Sequence, residues 1–552
     1  MKKQRVLFYL FWFILSLPNF ILAFTEQMNV WGKCALIILP VAVFGVLMTL
    51  NKKPGIIYWA CFPFLFIGAF QMVLTYLFGK GGIAVDMWLN LSTTNSSEAN
   101  ELLSQLWPAV IGVILIYIPS LVLAVWSVRM KEKLSGAFRK VHRHIAGGLL
   151  AASLLCILMA YMAGGYKLTD DMFPVNACYN CVQAMEREDA TKAYKEASDG
   201  FVFNAHMAKT DTLPQVVVCV VGETSRAANW QLYGYERATN PILSKTDGLL
   251  VFRDHMSQSN TTHKSVPILL SLASAENYEI LYRSKGIMAA YREAGYYTAY
   301  ISNQQRNKSF IDFIGEQADS CVFLNDNKKG VSYDEVLIPA LHGILKKGHR
   351  HLFVVLHTYG SHFNYYDRYP EEARTFVPDF IENAKKTHRH KMINAYDNSI
   401  RYTDAVLGKL IGLLTECKES AALLYTSDHG EDIFDDERDL FLHASPVPSY
   451  YQLHVPLVIW TSETYRQVHA QRLESMTSHT DLPTSSNCVF HTLLGLGGVE
   501  TAYRNDSLSL VSPDFSVSKR YYINDRNEPE LLRLCWDEND LKVLKKKNLR
   551  YE

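Results

Sequence analysis

Five stretches of the chain carry no Asp, Glu, Lys or Arg: residues 6–24, 34–50, 56–78, 108–128 and 145–165. A helix needs about 20 apolar residues to cross the hydrocarbon core of a bilayer. In lipid, the backbone polar groups of such a run must be satisfied within the segment, so the runs are expected to be helices. A cleaved signal peptide does not account for the first run, because four more follow and no small-residue cleavage site closes it. Basic residues fall on alternate connections. Lys2, Lys3 and Arg5 precede the first run. Lys52 and Lys53 separate the second from the third. Arg129, Lys131, Lys133, Arg139, Lys140 and Arg143 separate the fourth from the fifth, while the opposite connections hold only Lys33 and Lys80. This asymmetry places the N-terminus in the cytoplasm and, after five crossings, everything beyond residue 165 outside it. None of the runs has a charged residue to line an ion or proton path, which counts against transport.

Residues 166–552 read as an ordinary polar globular chain. Over the whole sequence 55 basic residues balance 55 acidic ones, so no positive field points to nucleic acid. The organisation is a transmembrane domain over 1–165 with an external loop at 79–107, a linker region over 166–210 and a soluble domain over 211–552. Seven of the ten cysteines lie in the soluble part, an odd number. Cys178 and Cys181 are expected to form a short disulfide in an oxidising compartment. No second Cys/His pair follows them at zinc-finger spacing.

Four β-branched apolar runs, 216–221, 297–301, 352–356 and 422–426, read as buried parallel strands, with helical patterns at 284–294 and 395–414 between them. Alternating strands and helices make an α/β sandwich with a mostly parallel sheet. The first strand ends in Gly222-Glu223-Thr224-Ser225. The second leads to Ser302-Asn303-Gln304-Gln305 and Lys308, the third to His357-Thr-Tyr-Gly-Ser-His362, and the fourth to Ser427-Asp428-His429-Gly430-Glu431. Ligands of open α/β sheets bind beyond the carboxyl ends of the strands. A carboxylate, an Asp-His pair, a further His and a Lys are therefore expected on one edge. Glu223, Asp428 and His429 supply oxygen and nitrogen donors suited to Zn²⁺. A catalytic zinc keeps one position open, and a hydroxyl there becomes a nucleophile near neutral pH. Ser259-Asn-Thr-Thr262-His-Lys-Ser265-Val-Pro267 offers hydroxyls ahead of a helical pattern at 268–275, where the helix dipole favours a phosphoryl group.

These motifs resemble the membrane-bound phosphoethanolamine transferases of Gram-negative bacteria, a family that includes the lipid A-modifying and mobile colistin (polymyxin) resistance enzymes and those acting on lipopolysaccharide core sugars. The matching segments are Val220-Val-Gly-Glu-Thr-Ser-Arg226, Asn240-Pro241, Thr262 with Ser265-Val-Pro267, Leu356-His-Thr-Tyr-Gly-Ser-His362, Asn394-Ala-Tyr-Asp-Asn398, Ser427-Asp-His-Gly-Glu431 and Phe441-Leu-His443. The resemblance covers nearly the whole chain. It implies an α-helical membrane domain of five transmembrane helices and a soluble α/β sandwich of alkaline phosphatase/sulfatase type, in the inner membrane with the catalytic domain periplasmic. The metal ligands it implies are Glu223, Thr262, Asp428 and His429, holding one or two zinc ions, with Thr262 also the nucleophile. His362, His443 and Lys308 are implied as phosphate-contacting or acid/base groups, and Asn303 and Gln304 as lining the same pocket. Asn90, Thr94 and Glu98, spaced to share one helix face, are implied to bind the lipid headgroup.

The resemblance further implies transfer of phosphoethanolamine from phosphatidylethanolamine to a lipopolysaccharide acceptor, core sugar or lipid A, through a covalent threonine intermediate that releases diacylglycerol. The sequence departs from the lipid A enzymes in two respects. Cysteines that flank the nucleophile in the lipid A enzymes are replaced by Gln258 and Ile268, so that disulfide is missing. The acidic run 428–436, with Ser302-Asn-Gln304 and Leu442-His-Ala-Ser445, looks closer to the core-sugar branch. The rival readings are a glycerophosphate transferase or a sulfatase- or phosphatase-type membrane hydrolase on the same scaffold. A sulfatase needs a Cys or Ser that is converted to formylglycine, and Thr262 is neither.

Overall fold

The structure is a computed structural model that describes residues 2–26, 28–78, 82–93, 96–209, 211, 213–326, 332–445 and 447–551. It divides into two compact units, Met1–Ser92 with Ser96–Glu186, and Thr93–Asn95 with Arg187–Glu552.

The first unit is helical: α1 Lys2–Thr25, α2 Val30–Met48, α3 Pro54–Ala60, α4 Phe62–Phe78, α5 Val85–Thr93, α6 Ser96–Arg129 and α7 Gly136–Ala163, then α8 Val175–Lys192, whose last turns pass into the second unit. Four of the described helices, α1, α2, α6 over Trp107–Arg129, and α7, are long and apolar enough to cross a membrane; α3 and α4 pass that test only as a pair bent by 63°. The third expected span is thus broken. The break falls beside Cys61 and Pro63; proline has no N–H with which to continue the ladder, so the helix restarts around it. The bundle interior is tied by neutral polar groups. Gln4 donates to the Ser127 carbonyl (2.8 Å) and accepts from the Ser127 hydroxyl (2.8 Å), while Asn19 exchanges two bonds with the backbone of Phe173.

The core of the second unit is a seven-stranded sheet. In chain order its strands are β1 Gln215–Gly222, β2 Leu249–Phe252, β3 Tyr297–Ser302, β4 Ser320–Phe323, β5 His351–His357, β6 Ser420–Ser427 and β7 Leu457–Thr461, and the spatial order is β2-β7-β6-β1-β5-β3-β4. The four strands expected from sequence are β1, β3, β5 and β6, and they pair in parallel as neighbours. β7 runs antiparallel between β6 and β2. β1 is buried along its whole length, which is why it reads as an unbroken apolar run. Helix α9 Thr262–Leu270 carries Thr262 at its first turn, and helix α10 Arg389–Glu416 carries Tyr396. Over 166–210 the chain is mainly helical, with α8 and two shorter helices. Cys178 and Cys181 are both free thiols, so the expected disulfide is not formed. They lie one turn apart on α8, pointing roughly 60° apart around its axis.

Candidate metal centre

The carboxyl ends of β1 and β6 lie side by side, with Gly222 opposite Ser427. The next residue of each, Glu223 and Asp428, is therefore delivered to the same spot. Among the described residues Glu223, Asp428 and His429 form a buried group whose ligand atoms all lie within 4.8 Å of one another. The Thr262 hydroxyl, at the first turn of α9, donates to Glu223 Oε1 at 3.1 Å and sits 3.0 Å from His429 Nε2. His429 Nδ1 donates to the Gly430 carbonyl (3.0 Å), which leaves Nε2 as the lone-pair atom facing the group. Asp428 Oδ1 accepts the backbone N–H groups of Thr224 (3.0 Å) and His429 (2.7 Å), and Oδ2 turns toward His429 Nε2 at 3.2 Å.

The donor set fits a divalent cation on electrostatic grounds. Burial, and after it the charge of Asp428, pushes the Glu223 carboxyl up to about 7, and burial pushes Asp428 up to about 6. Burial, with the nearby His443, holds His429 down at about 3, so its imidazole is neutral. Two buried carboxylates and a neutral imidazole are an incomplete charge set that a metal ion completes. Zinc affinity is expected to fall as pH drops through 7 to below 6, as Glu223 and Asp428 take up protons over that window, and binding at pH 6 should release protons. Calorimetry in buffers of different ionisation enthalpy measures that release; pH-independent binding across the window would contradict it.

The backbone around the group is held in unusual conformations. Thr224, Leu442 and Ala444 are non-glycine residues with φ of 58°, 65° and 61°. Each costs about 1–3 kcal/mol and persists only where surroundings over-determine it. Thr224 is fixed by its N–H bond to Asp428 and by the Tyr396 hydroxyl, which donates to its carbonyl (2.7 Å). Ala444 N–H donates to the Asn260 carbonyl (3.1 Å). Gly360, at φ +56°, lies so close to Glu223 that an added Cβ would stand 2.5 Å from its carbonyl oxygen and 2.8 Å from its nitrogen. Gly360→Ala is expected to displace the Glu223 backbone and weaken zinc binding by about tenfold, a cost of some 1.4 kcal/mol, read by metal competition titration.

His362 and His443 come to the same place as the metal group. The His443 ring lies 4.2 Å from that of His429 and 6.2 Å from that of His362, centroid to centroid. His443 Nδ1 donates to Glu431 Oε1 (3.2 Å). Burial alone would pull its pKa down, but the Glu431 bond and charge outweigh that and hold it above the ordinary histidine value. His362 is held down at about 3 by burial and by Arg368, and its Nδ1 donates to the Phe363 carbonyl (2.6 Å). Gln304 Nε2 donates to Glu223 Oε2 (3.2 Å) and to the Thr358 carbonyl (2.9 Å).

Asn303 and Lys308 are placed differently. The Asn303 amide is spent on Ser332 and Asp334. Lys308 is exposed, and its backbone N–H donates to Asp312 (2.6 Å); no ion pair joins its ammonium to the metal group among the described residues. Thr94 lies outside the described residues. Asn90 and Glu98 fall in α5 and α6, where their side chains are likewise outside the description.

Sequence reasoning passed over two carboxylates. Glu431 was visible only as the last letter of a motif, two residues beyond a ligand. Asp334 gave no signal in its polar segment. Its carboxylate accepts the N–H groups of Tyr359 (2.7 Å) and Gly360 (2.8 Å) and the Asn303 amide (2.9 Å), which fastens the loop carrying His362. The segment before Thr262 is held by buried hydrogen bonds: the Gln258 side-chain oxygen accepts from Ala275 N–H while its backbone bonds to Ser486 and Ile523, and the Asn260 amide donates to the Ser445 carbonyl and to Gln452 and accepts from the Tyr522 hydroxyl.

The sulfatase family profile matches residues 215–499, just over half of the chain. The phosphoethanolamine transferase EptA of Escherichia coli K12 is 35% identical over 302 residues, which are 52% of this chain and 54% of that protein; the chain thus spans about half the length of this curated relative. The integral membrane lipooligosaccharide phosphoethanolamine transferase A of Neisseria meningitidis has the same fold, with a TM-score of 0.73 at 22% identity over 92% of this chain and 98% of its own. The periplasmic domain of the E. coli protein EcEptC, solved in complex with Zn, superposes at a TM-score of 0.55 and 24% identity over 60% of this chain and 96% of its own. An N-terminal helical apolar region with four to five candidate spans is thus joined to a mixed-sheet domain of alkaline phosphatase/sulfatase type, and the chain belongs to the sulfatase family.

Proposed function

We propose that this protein is a zinc-dependent phosphoethanolamine transferase that takes the group from phosphatidylethanolamine and passes it to a lipopolysaccharide component on the outer side of the inner membrane. The observation that carries the reading is the Thr262 hydroxyl set among Glu223, Asp428 and His429 at the first turn of a helix. Glu223, Thr262, Asp428 and His429 would hold the zinc ion, which when bound would lower the pKa of the Thr262 hydroxyl and offset charge on the phosphoryl oxygens. Thr262 Oγ1, its proton released to water when the metal binds, forms a bond to the donor phosphorus as the bond from phosphorus to the glycerol oxygen breaks. His443, kept protonated by Glu431, gives its proton to the departing diacylglycerol oxygen. In the second half it takes the proton of the acceptor hydroxyl, which attacks the phosphothreonine and frees Thr262. His362 presents a neutral Nε2 lone pair beside it, suited to accept a hydrogen bond from the acceptor hydroxyl or the ethanolamine ammonium. The N-terminus of α9 supports charge on the phosphoryl oxygens. Asn90, Thr94 and Glu98 are the headgroup-binding residues of this reading, and Lys308 supplies long-range positive charge.

The supporting facts are the EptA similarity, the fold shared with a membrane phosphoethanolamine transferase, and the zinc held by a related domain. Mass spectrometry of lipopolysaccharide from cells making the wild-type protein or Glu223→Gln tests it. Phosphoethanolamine is expected only with the wild type, and separating lipid A from core assigns the acceptor. Identical lipopolysaccharide in the two strains would overturn the proposal.

A further inference from the structure

Helix α8 is built inside out for a helix in water. Its buried side carries Asn176 and Asn180, 0% and 7% exposed, with Ala177 and Ala184. Asn180 Nδ2 donates to the Ile83 carbonyl (2.8 Å), and Ala177 packs with Leu22, Ile83 and Phe173. Its outward side, over the first three turns, carries Val175, Cys178, Tyr179, Val182 and Met185, with Val182 53% and Met185 60% exposed. Pro174, Val175, Cys178, Tyr179 and Val182 line an open groove of about 470 Å³ with apolar walls. Charge begins only with Glu186-Arg187-Glu188-Asp189.

Small and amide side chains against protein, with apolar side chains outward, is the order found in helices that face lipid. The outward face of α7 has the same character, with Leu154, Leu155, Leu158 and Met162 exposed, and α7 ends at Ala163 shortly before α8 starts. The apolar turns of α8 belong to the same compact unit as the spans.

We propose that the outward face of the first three turns of α8 is seated in lipid, its groove occupied by acyl chains, so that the helix is a further membrane-contact element beyond the five spans. The occupant is the bilayer, because this face continues the lipid-facing surface of the spans in composition and lies directly after it in the chain. Tyr179 suits the interface between acyl chains and headgroups. Water-exposed helix begins at Glu186. Cys178 then lies in lipid, where a thiol is kept protonated and inert toward aqueous reagents.

The test uses the full-length wild-type protein in phosphatidylethanolamine/phosphatidylglycerol vesicles, treated with a sulfonated maleimide and digested for peptide mass spectrometry. Alkylation of Cys178 should be roughly tenfold or more slower than after SDS solubilisation, because the reactive thiolate is disfavoured away from water. A Glu186→Cys protein should react at the same rate in both. Equal rates for Cys178 in vesicles and SDS would overturn the proposal. A nitroxide on Cys178, with the other cysteines replaced, separates lipid from protein cover. Relaxation by dissolved oxygen well above that by an aqueous nickel chelate is expected. Dominance of nickel, or protection from both, would overturn it.

Discussion

Thr262→Ala is expected to lower transfer of phosphoethanolamine by at least about a thousandfold, since a covalent route has no substitute for its nucleophile. The substitution removes one hydroxyl and one methyl from a half-buried position at the start of α9, so the fold should be unaffected. Glu223 Oε1 and His429 Nε2, at 3.1 Å and 3.0 Å from the lost oxygen, remain in place. Thr262→Ser restores the oxygen and should recover a measurable part of the rate. Turnover of labelled phosphatidylethanolamine in proteoliposomes measures both variants. Wild-type turnover by Thr262→Ala would remove this residue from the chemistry.

Asp428→Asn should empty the metal centre. Asp428 Oδ1 already accepts two backbone N–H groups, which an amide oxygen can also do, so the loop geometry is retained. The loss falls on Oδ2, the atom turned toward His429, and on its charge. The fall in zinc affinity is expected to exceed the 10- to 100-fold loss typical of partners one step removed from a metal, by roughly another factor of ten. Elemental analysis of the purified full-length variant checks it. Stoichiometric zinc in Asp428→Asn would place the metal elsewhere.

The parts of this molecule that were legible beforehand are those in which one residue type serves one environment. β1, β3, β5 and β6 are buried on both faces, so each is an uninterrupted apolar run, and the polar residues that follow mark where the sheet ends and a site begins. Glu223, Asp428, His429 and His362 follow those strands and come together with Thr262 and with His443, which only the family resemblance had implied, while Lys308, expected on the same edge, is exposed. β7 was not legible, because an antiparallel strand beside β6 has the same apolar composition as a parallel one. The break in the third span was written in Pro63 but hidden by an apolar run of the right length. The roles of Glu431 and Asp334 were not legible for a different reason: each acts through a partner on another segment, His443 in one case and the Tyr359–Gly360 backbone in the other. Asn303 shows the converse, a residue in the right segment whose amide is turned to hold Asp334.

The most direct measurement is tandem mass spectrometry of the full-length protein after brief exposure to phosphatidylethanolamine without an acceptor. A mass increment of one phosphoethanolamine group, localised to Thr262 and absent from zinc-depleted protein, is the expected result. A turning-over enzyme that carries no such group, or carries it on a different residue, would contradict the assignment of Thr262 and the metal centre built around it.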